Sequence, residues 1–195
     1  RDTSVTGVQT CALPISLMIE AAGVKPGERV LDVGTGSGYA AAVLSRIAES
    51  VYSIERHRPL ADEAVRKFAR VGYRNIEVRC GDGTLGWPEA APFDAILVAA
   101  CGPEVPEALR NQLKIGGRLI IPIGKLDRTQ QLVKVVRDAE DCFHEEDLGP
   151  VTFVPLIGQA GWGEREIDGA ASWARVWPKR EKVKAPAKTP VALVR

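Results

Sequence analysis

Residues 30–39, VLDVGTGSGY, constrain what this chain can fold into more than any other stretch. Val30, Leu31 and Val33 are apolar around Asp32. Gly34, Gly36 and Gly38 then alternate with Thr35 and Ser37, and an alanine-rich run starts at Ala40. The succession reads as a strand, a tight glycine loop and a helix. Glycine at every second position lets the backbone take positive φ and lets a ligand come within contact distance of the main chain. The helix that follows offers unpaired N–H groups at its start. A nucleotide-like ligand over the loop is the functional reading, and a merely tight strand-to-helix turn is the competing one. The dinucleotide fingerprint is spaced G-x-G-x-x-G, whereas this loop is G-x-G-x-G, which argues against a NAD site.

Two further strand ends sharpen the reading. Residues 50–55, SVYSIE, form a second apolar strand ending on Glu55. An acid at the tip of the second strand is placed to accept both hydroxyls of a ribose lying over the first loop. Residues 75–80 form a short third strand, followed by Gly81-Asp82-Gly83 at the same edge. Asp82 can accept from an exocyclic amine, and Gly83 beside it allows close approach. Ligands of open α/β sheets collect at the carboxyl ends of strands, so the three features together point to one adenosine-like ligand.

The rest of the chain supplies the alternation such a sheet needs. Residues 17–22 read as the last turns of a helix, stopped by Gly23 and the Pro26-Gly27 turn. A helix is expected over 39–48. Another is expected over 59–71, with Leu60, Ala64, Val65, Phe68 and Ala69 as its apolar face and Gly72 ending it. Residues 93–99 are a near-continuous apolar run, the mark of a strand buried on both faces. A short helix over 106–113 and a Gly116-Gly117 turn lead to a strand over 118–123, RLIIPI. Strands over 130–137 and 142–156 are separated by an acidic turn at 138–141. The fold class this predicts is α/β, a doubly wound, mostly parallel sheet with helices on both faces.

Composition sets the outer limits. With 195 residues, 45% of them hydrophobic, the chain is one domain's worth and can bury a sizeable core. A net charge of +1 lacks the basic excess of a nucleic-acid footprint. The four cysteines are far apart with no C-x-x-C pair, which predicts neither a disulfide framework nor a metal site, and a reducing cytoplasm as the compartment. No apolar run reaches membrane-spanning length and nothing at the start resembles a signal peptide.

Both ends read differently from the middle. In residues 1–16, the run VTGVQTCALPI is what one frame of a widely used sequencing-library adapter translates to. This segment is therefore expected to be a non-native leader joined to the natural chain just before Leu17. Residues 163–195 turn basic and proline-punctuated, with Lys179, Arg180, Lys182, Lys184 and Lys188 among Pro178, Pro186 and Pro190. They read as a solvated tail or linker. The domain proper is expected over 17–162.

At this point the motifs resemble a family. VLDVGTGSGYAAAVLS, VYSIER, GDGTLGWPEAAPFDAILVAACGPEVPEAL and QLKIGGRLIIPIG are together similar to the protein-L-isoaspartate (D-aspartate) O-methyltransferases, within the seven-stranded S-adenosylmethionine-dependent methyltransferases. The likeness spans 17–162. The glycine loop, Glu55 and Asp82 are general to such methyltransferases, whereas residues 81–102, Val154-Pro155-Leu156 and Gly161-Trp162 are specific to the isoaspartyl branch. The resemblance implies that Gly34, Thr35, Gly36 and Gly38 wrap the methionine part and ribose of S-adenosyl-L-methionine. Glu55 would hold the ribose hydroxyls and Asp82-Gly83 would meet the adenine. Ala99, Ala100, Val154, Pro155 and Leu156 would line the groove for the peptide; for Val154 and Leu156 a plain core-strand role competes. Members also carry an amino-terminal stretch whose Ser or Thr lies near the donor methyl. That position falls under the leader, Ser16 does not replace it, and no catalytic residue is assigned. Cys101 stands where a small apolar residue is usual.

The activity implied is methyl transfer to the α-carboxylate of isoaspartyl and D-aspartyl residues in damaged proteins and peptides, which would be the partners of a monomer acting without nucleic acid or membrane. Such a carboxylate, with a pKa of roughly 3.5, is already an anion at neutral pH and needs no general base. His57 and His144 accordingly read as surface residues. Two alternatives stay open: a module that binds S-adenosylmethionine without activity, and a methyltransferase for another substrate. Residues 98–101, VAAC, contain no amine-methylating Asn/Asp-Pro-Pro-Tyr motif.

Overall fold

The computed structural model describes residues 7–126 and 129–169. The greater part of the expected tail, from residue 170 on, lies outside the described residues. The elements run α1 (Gly7–Ala22), β1 (Arg29–Val33), α2 (Tyr39–Leu44), β2 (Ser50–Glu55), α3 (Arg58–Val71), β3 (Ile76–Cys80), β4 (Phe93–Val98), α4 (Glu107–Asn111), β5 (Leu113–Ile123), β6 (Gln130–Ala139), β7 (Cys142–Val151) and α5 (Glu164–Gly169). One seven-stranded sheet has the order β3-β2-β1-β4-β5-β6-β7. Its first five strands are parallel, and β6 and β7 join antiparallel at one edge. This is the doubly wound, mostly parallel sheet expected. The order reverses at β1, flanked by β2 and β4. A crevice outside the carboxyl ends of the strands opens at such a switch point.

Alternation along the central strands divides the core between the two faces. Leu31, Val33, Ile54, Ile96, Val98, Leu119 and Ile121 pack on one face with Phe93, Leu109 and Leu113. On the other, Val30, Val51, Leu97 and Ile120 meet Met18 of α1, Ala41 and Leu44 of α2, and Ala64 and Phe68 of α3. Each fully buried Leu, Ile or Phe contributes about 1.5–3 kcal/mol relative to exposure. α1 crosses the expected leader boundary, with Met18 fully buried and Leu13 75% exposed. Its C-terminus is held by Arg118 of β5, which donates to the carbonyls of Ala22 and Gly23 and to the carboxylate of Glu28.

Several boundaries differ from expectation for local reasons. α2 stops at Leu44 rather than 48, where the Ser45 hydroxyl donates to the Ala42 carbonyl at 2.8 Å. α3 buries Ala61, Ala64 and Phe68, while Val65 and Ala69 are exposed, so its inward stripe is narrower than expected and includes Ala61 in place of Val65. The helix expected over 106–113 shrinks to α4. The Gly116-Gly117 pair lies inside β5, which starts at Leu113 and slips register against β4 between Phe93 and Ala95. β7 ends at Val151, and residues 154–156 leave the sheet edge to pair elsewhere.

Candidate active site at the carboxyl edge of the sheet

β1 delivers the glycine loop to the switch point, and β2 anchors it. The amides of Gly34 and Thr35 both donate to the Ile54 carbonyl, at 2.8 and 3.2 Å. Gly38 takes φ 85°, and its amide donates to the Thr35 carbonyl at 2.7 Å, closing the turn into α2. A Cβ at Gly38 would stand 2.7 Å from the Phe68 ring, so helix α3 packs directly under the loop.

Glu55 is the brace of this loop. Its Oε2 accepts from the Gly36 amide and its Oε1 from the His57 amide, both at 2.9 Å, and only 6% of the residue is exposed. The carboxylate therefore sits beside the loop where the sequence places it.

Beneath the loop lies a chain of polar groups that sequence reasoning missed. Asp32 and Ser53 are register partners on β1 and β2. The Ser53 hydroxyl donates to Asp32 Oδ2 at 2.7 Å and lies 2.6 Å from the Thr35 hydroxyl. All three residues are buried, and Asp32 Oδ1 has no hydrogen-bond partner. Burial pushes the Asp32 carboxyl up to about 6, with the neighbouring Glu55 charge adding to the rise and the Ser53 bond opposing it. The available signal was an acid in the middle of an otherwise apolar strand.

Asp82 and Gly83 follow β3 at the same edge. Asp82 Oδ1 accepts from the Thr84 amide and hydroxyl, at 2.9 and 2.7 Å, and Oδ2 accepts from the Gln159 amide at 2.7 Å. Gly83 is buried against Val33, whose methyl would overlap any Cβ there. Asp82 thus already ties the end of β3 to a loop 77 residues further along, besides standing at the expected edge.

That loop, residues 154–163, straps the carboxyl ends together. The Cys101 amide donates to the Val154 carbonyl at 2.7 Å, and the Leu156 amide returns to the Cys101 carbonyl at 2.8 Å. Trp162 Nε1 donates to the same carbonyl at 2.9 Å. Gly158 comes so close to Asp82 that a Cβ would overlap its carboxylate. The structure thus pairs Val154, Pro155 and Leu156 with Cys101, the residue that follows Ala99 and Ala100 at the end of β4. Their exposures differ: Val154 is 38% exposed, whereas Ala100 and Leu156 are buried, Leu156 in the core. Burial pushes the Cys101 thiol up to about 12, which makes it no nucleophile. His57 and His144 are both exposed, His144 in a 2.5 Å pair with Asp138. Among the described residues, no cluster of His, Cys, Asp and Glu could hold a metal ion, and no helix is long and apolar enough to cross a membrane.

Among the described residues, the arrangement sets a glycine loop beside the buried carboxylates of Asp32 and Glu55 and offers no reactive thiol. It suits a ligand that carries positive charge and its own chemical activation. The family model described as Protein-L-isoaspartate(D-aspartate) O-methyltransferase matches residues 4–161. A Brucella anthropi protein-L-isoaspartate O-methyltransferase is 51% identical over 156 residues, covering 79% of this chain and 72% of that protein. One from Pelotomaculum thermopropionicum is 54% identical, covering 79% and 68%. A solved protein-L-isoaspartate O-methyltransferase superposes with a TM-score of 0.70 at 34% identity, covering 83% of this chain; the match spans 52% of that chain's length. A Plasmodium falciparum structure of the same description, in complex with S-adenosyl-L-homocysteine, gives 0.59 at 28% identity, covering 76% of this chain and 72% of that one.

Proposed function

The chain belongs to the protein-L-isoaspartate(D-aspartate) O-methyltransferase family, and on that premise we propose that it methylates the α-carboxylate of L-isoaspartyl and D-aspartyl residues in damaged proteins, initiating their repair. The observation that carries this reading is the braced glycine loop, with Glu55 held against the Gly36 amide, at the same sheet edge as the strap paired with Cys101. S-adenosyl-L-methionine, when bound, supplies a methyl group already activated by its sulfonium charge. The residues present fit it: an orphaned, buried Asp32 oxygen and the Glu55 carboxylate lie by the glycine loop, acidic groups suited to a cationic ligand.

In this reading Gly34, Thr35, Gly36 and Gly38 hold the methionine and ribose parts, Glu55 orients the ribose hydroxyls, and Asp82-Gly83 borders the adenine. The acceptor carboxylate arrives as an anion, so no residue of the chain has to remove a proton. What remains for the protein is alignment and exclusion of water, worth about 7–11 kcal/mol when the reacting atoms are well placed. Residues 99–101 and 154–156 flank the approach of the peptide, and exposed Val154 offers it an apolar contact.

Methyl transfer from labelled S-adenosylmethionine to two peptides that differ only in an isoaspartyl or aspartyl residue tests the reading. Label on the isoaspartyl peptide alone is the expected result. Cofactor binding without transfer to either peptide would replace the reading with a binding module.

A further inference from the structure

Asp32 is fully buried, pairs through only one carboxylate oxygen, and lies under a loop whose proposed ligand is charged. On its face of the sheet, β2 brings Ser53 and Glu55 and β4 brings Leu97, its register partner. The helices over that face bring Met18 of α1, Ala41 and Leu44 of α2, and Ala61, Ala64 and Phe68 of α3. Of the charged residues described on these helices, Glu20 and most of those on α3 are exposed. Half-buried Lys67 is paired with Glu63 at 2.8 Å. Among the described residues, Glu55 is therefore the titratable group that faces Asp32, and its charge has the same sign. Two carboxylates in a dry setting repel each other and attract any cation placed between or above them, far more strongly than in water.

We propose that Asp32 makes the loop charge-selective, favouring the sulfonium-bearing methyl donor over its demethylated product and losing that preference when its carboxylate takes up a proton. The proposal rests on the cofactor reading above. S-adenosylmethionine carries a sulfonium and an ammonium against one carboxylate and is net positive, whereas S-adenosylhomocysteine lacks the sulfonium and is net neutral. A bound positive charge lowers the pKa of a nearby acid, and reciprocity requires the ionised acid to bind that charge more tightly by the same factor. Asp32 titrates close enough to neutrality for this coupling to operate in a folded protein. Ser53, which donates to Asp32 and meets Thr35, tunes it as a positioning residue.

Calorimetry of both ligands at about pH 5.5 and about pH 7.5 tests the proposal without relying on activity. A coupling of about one pKa unit predicts donor binding about threefold weaker at the lower pH, and product binding changed much less. Asp32→Asn should abolish the difference. Ser53→Ala, which deletes the bond favouring the ionised form, should move the midpoint of the pH dependence upward and serves where D32N folds poorly. A pH dependence equal for the two ligands, or retained in D32N, or a midpoint unmoved in S53A, overturns the proposal. No heat from either ligand at about pH 7.5 overturns the cofactor reading and the proposal with it, whereas binding without methyl transfer leaves the proposal standing.

Discussion

At Gly38 a single missing Cβ sets the spacing between the ligand loop and helix α3. The residue has φ 85°, and any side chain would begin 2.7 Å from the Phe68 ring. Left-handed backbone disfavours an L residue by about 1–2 kcal/mol, and crowding in a packed core adds about 1–3 kcal/mol. Gly38→Ala should therefore lower the unfolding free energy by about 2–5 kcal/mol in a denaturant titration. Phe68→Leu in the same chain should return the crowding part and leave the backbone part. Glu55 poses the complementary case, because its two oxygens serve two backbone donors. Glu55→Ala frees the Gly36 amide and removes the group proposed to hold the ribose. A loss of about 1.5–3 kcal/mol in cofactor affinity is expected from calorimetry, as for hydrogen bonds to a charged partner; an unchanged dissociation constant would remove Glu55 from the site.

Among elements, docking of α1 depends on one guanidinium. Arg118 donates to the carbonyls at the end of α1, to the Asp94 carbonyl and to Glu28 at 2.6 Å, with both side chains more than four-fifths buried. Breaking such a pair leaves a carboxylate without its partner, so Arg118→Met should destabilise the fold by about 3 kcal/mol in thermal or denaturant melts. Exchange of the backbone amides near Gly23 should rise first. This anchor was illegible beforehand, since Ala22 and Glu28 are ninety or more residues from Arg118 in sequence. Short-range features were legible: 50–55 is a strand to the residue and ends on Glu55 as expected, because an apolar run is a local property, whereas the bond from the Gly36 amide to Glu55 needed the fold. The strap was half legible. Val154 to Leu156 were singled out, but as part of a strand running from 142, whereas pairing with Cys101 draws them away from the edge. The α3 face was misjudged at Val65 because helical periodicity tolerates either of two neighbouring stripes, and only the loop and sheet beneath select one. Asp32 was passed over because an acid within an apolar strand declares its environment only once Ser53 is known to lie opposite.

For the whole molecule, buried Asp32 and the half-buried Glu28 and Asp94 pull stability in opposite directions with pH. Burial alone would raise Glu28 and Asp94, but the Arg118 and Lys25 bonds to Glu28, and the Arg29, Lys114 and Arg118 interactions with Asp94, hold both below their ordinary values. Their contribution is present above the unfolded-state values of 4.5 and 3.8 and is lost as pH falls through the lower folded-state values. Asp32 has the opposite sign. Its folded-state value is raised from 3.8 to about 6, so the stability linked to its protonated form is complete below 3.8 and is lost as pH rises through about 6. These groups together place their best pH on the mildly acidic side of neutrality. Above it, ionised Asp32 destabilises the fold by up to about 3 kcal/mol, two pKa units' worth. Asp32→Asn, with an amide oxygen still able to accept from Ser53, should raise the melting temperature at about pH 8, and the gain should shrink steadily toward about pH 4. A gain independent of pH would mean that the carboxylate is ionised at no cost in the folded chain. The expected pattern would make Asp32 a charge kept in the core against stability, the mark of a residue retained for what it does to a ligand.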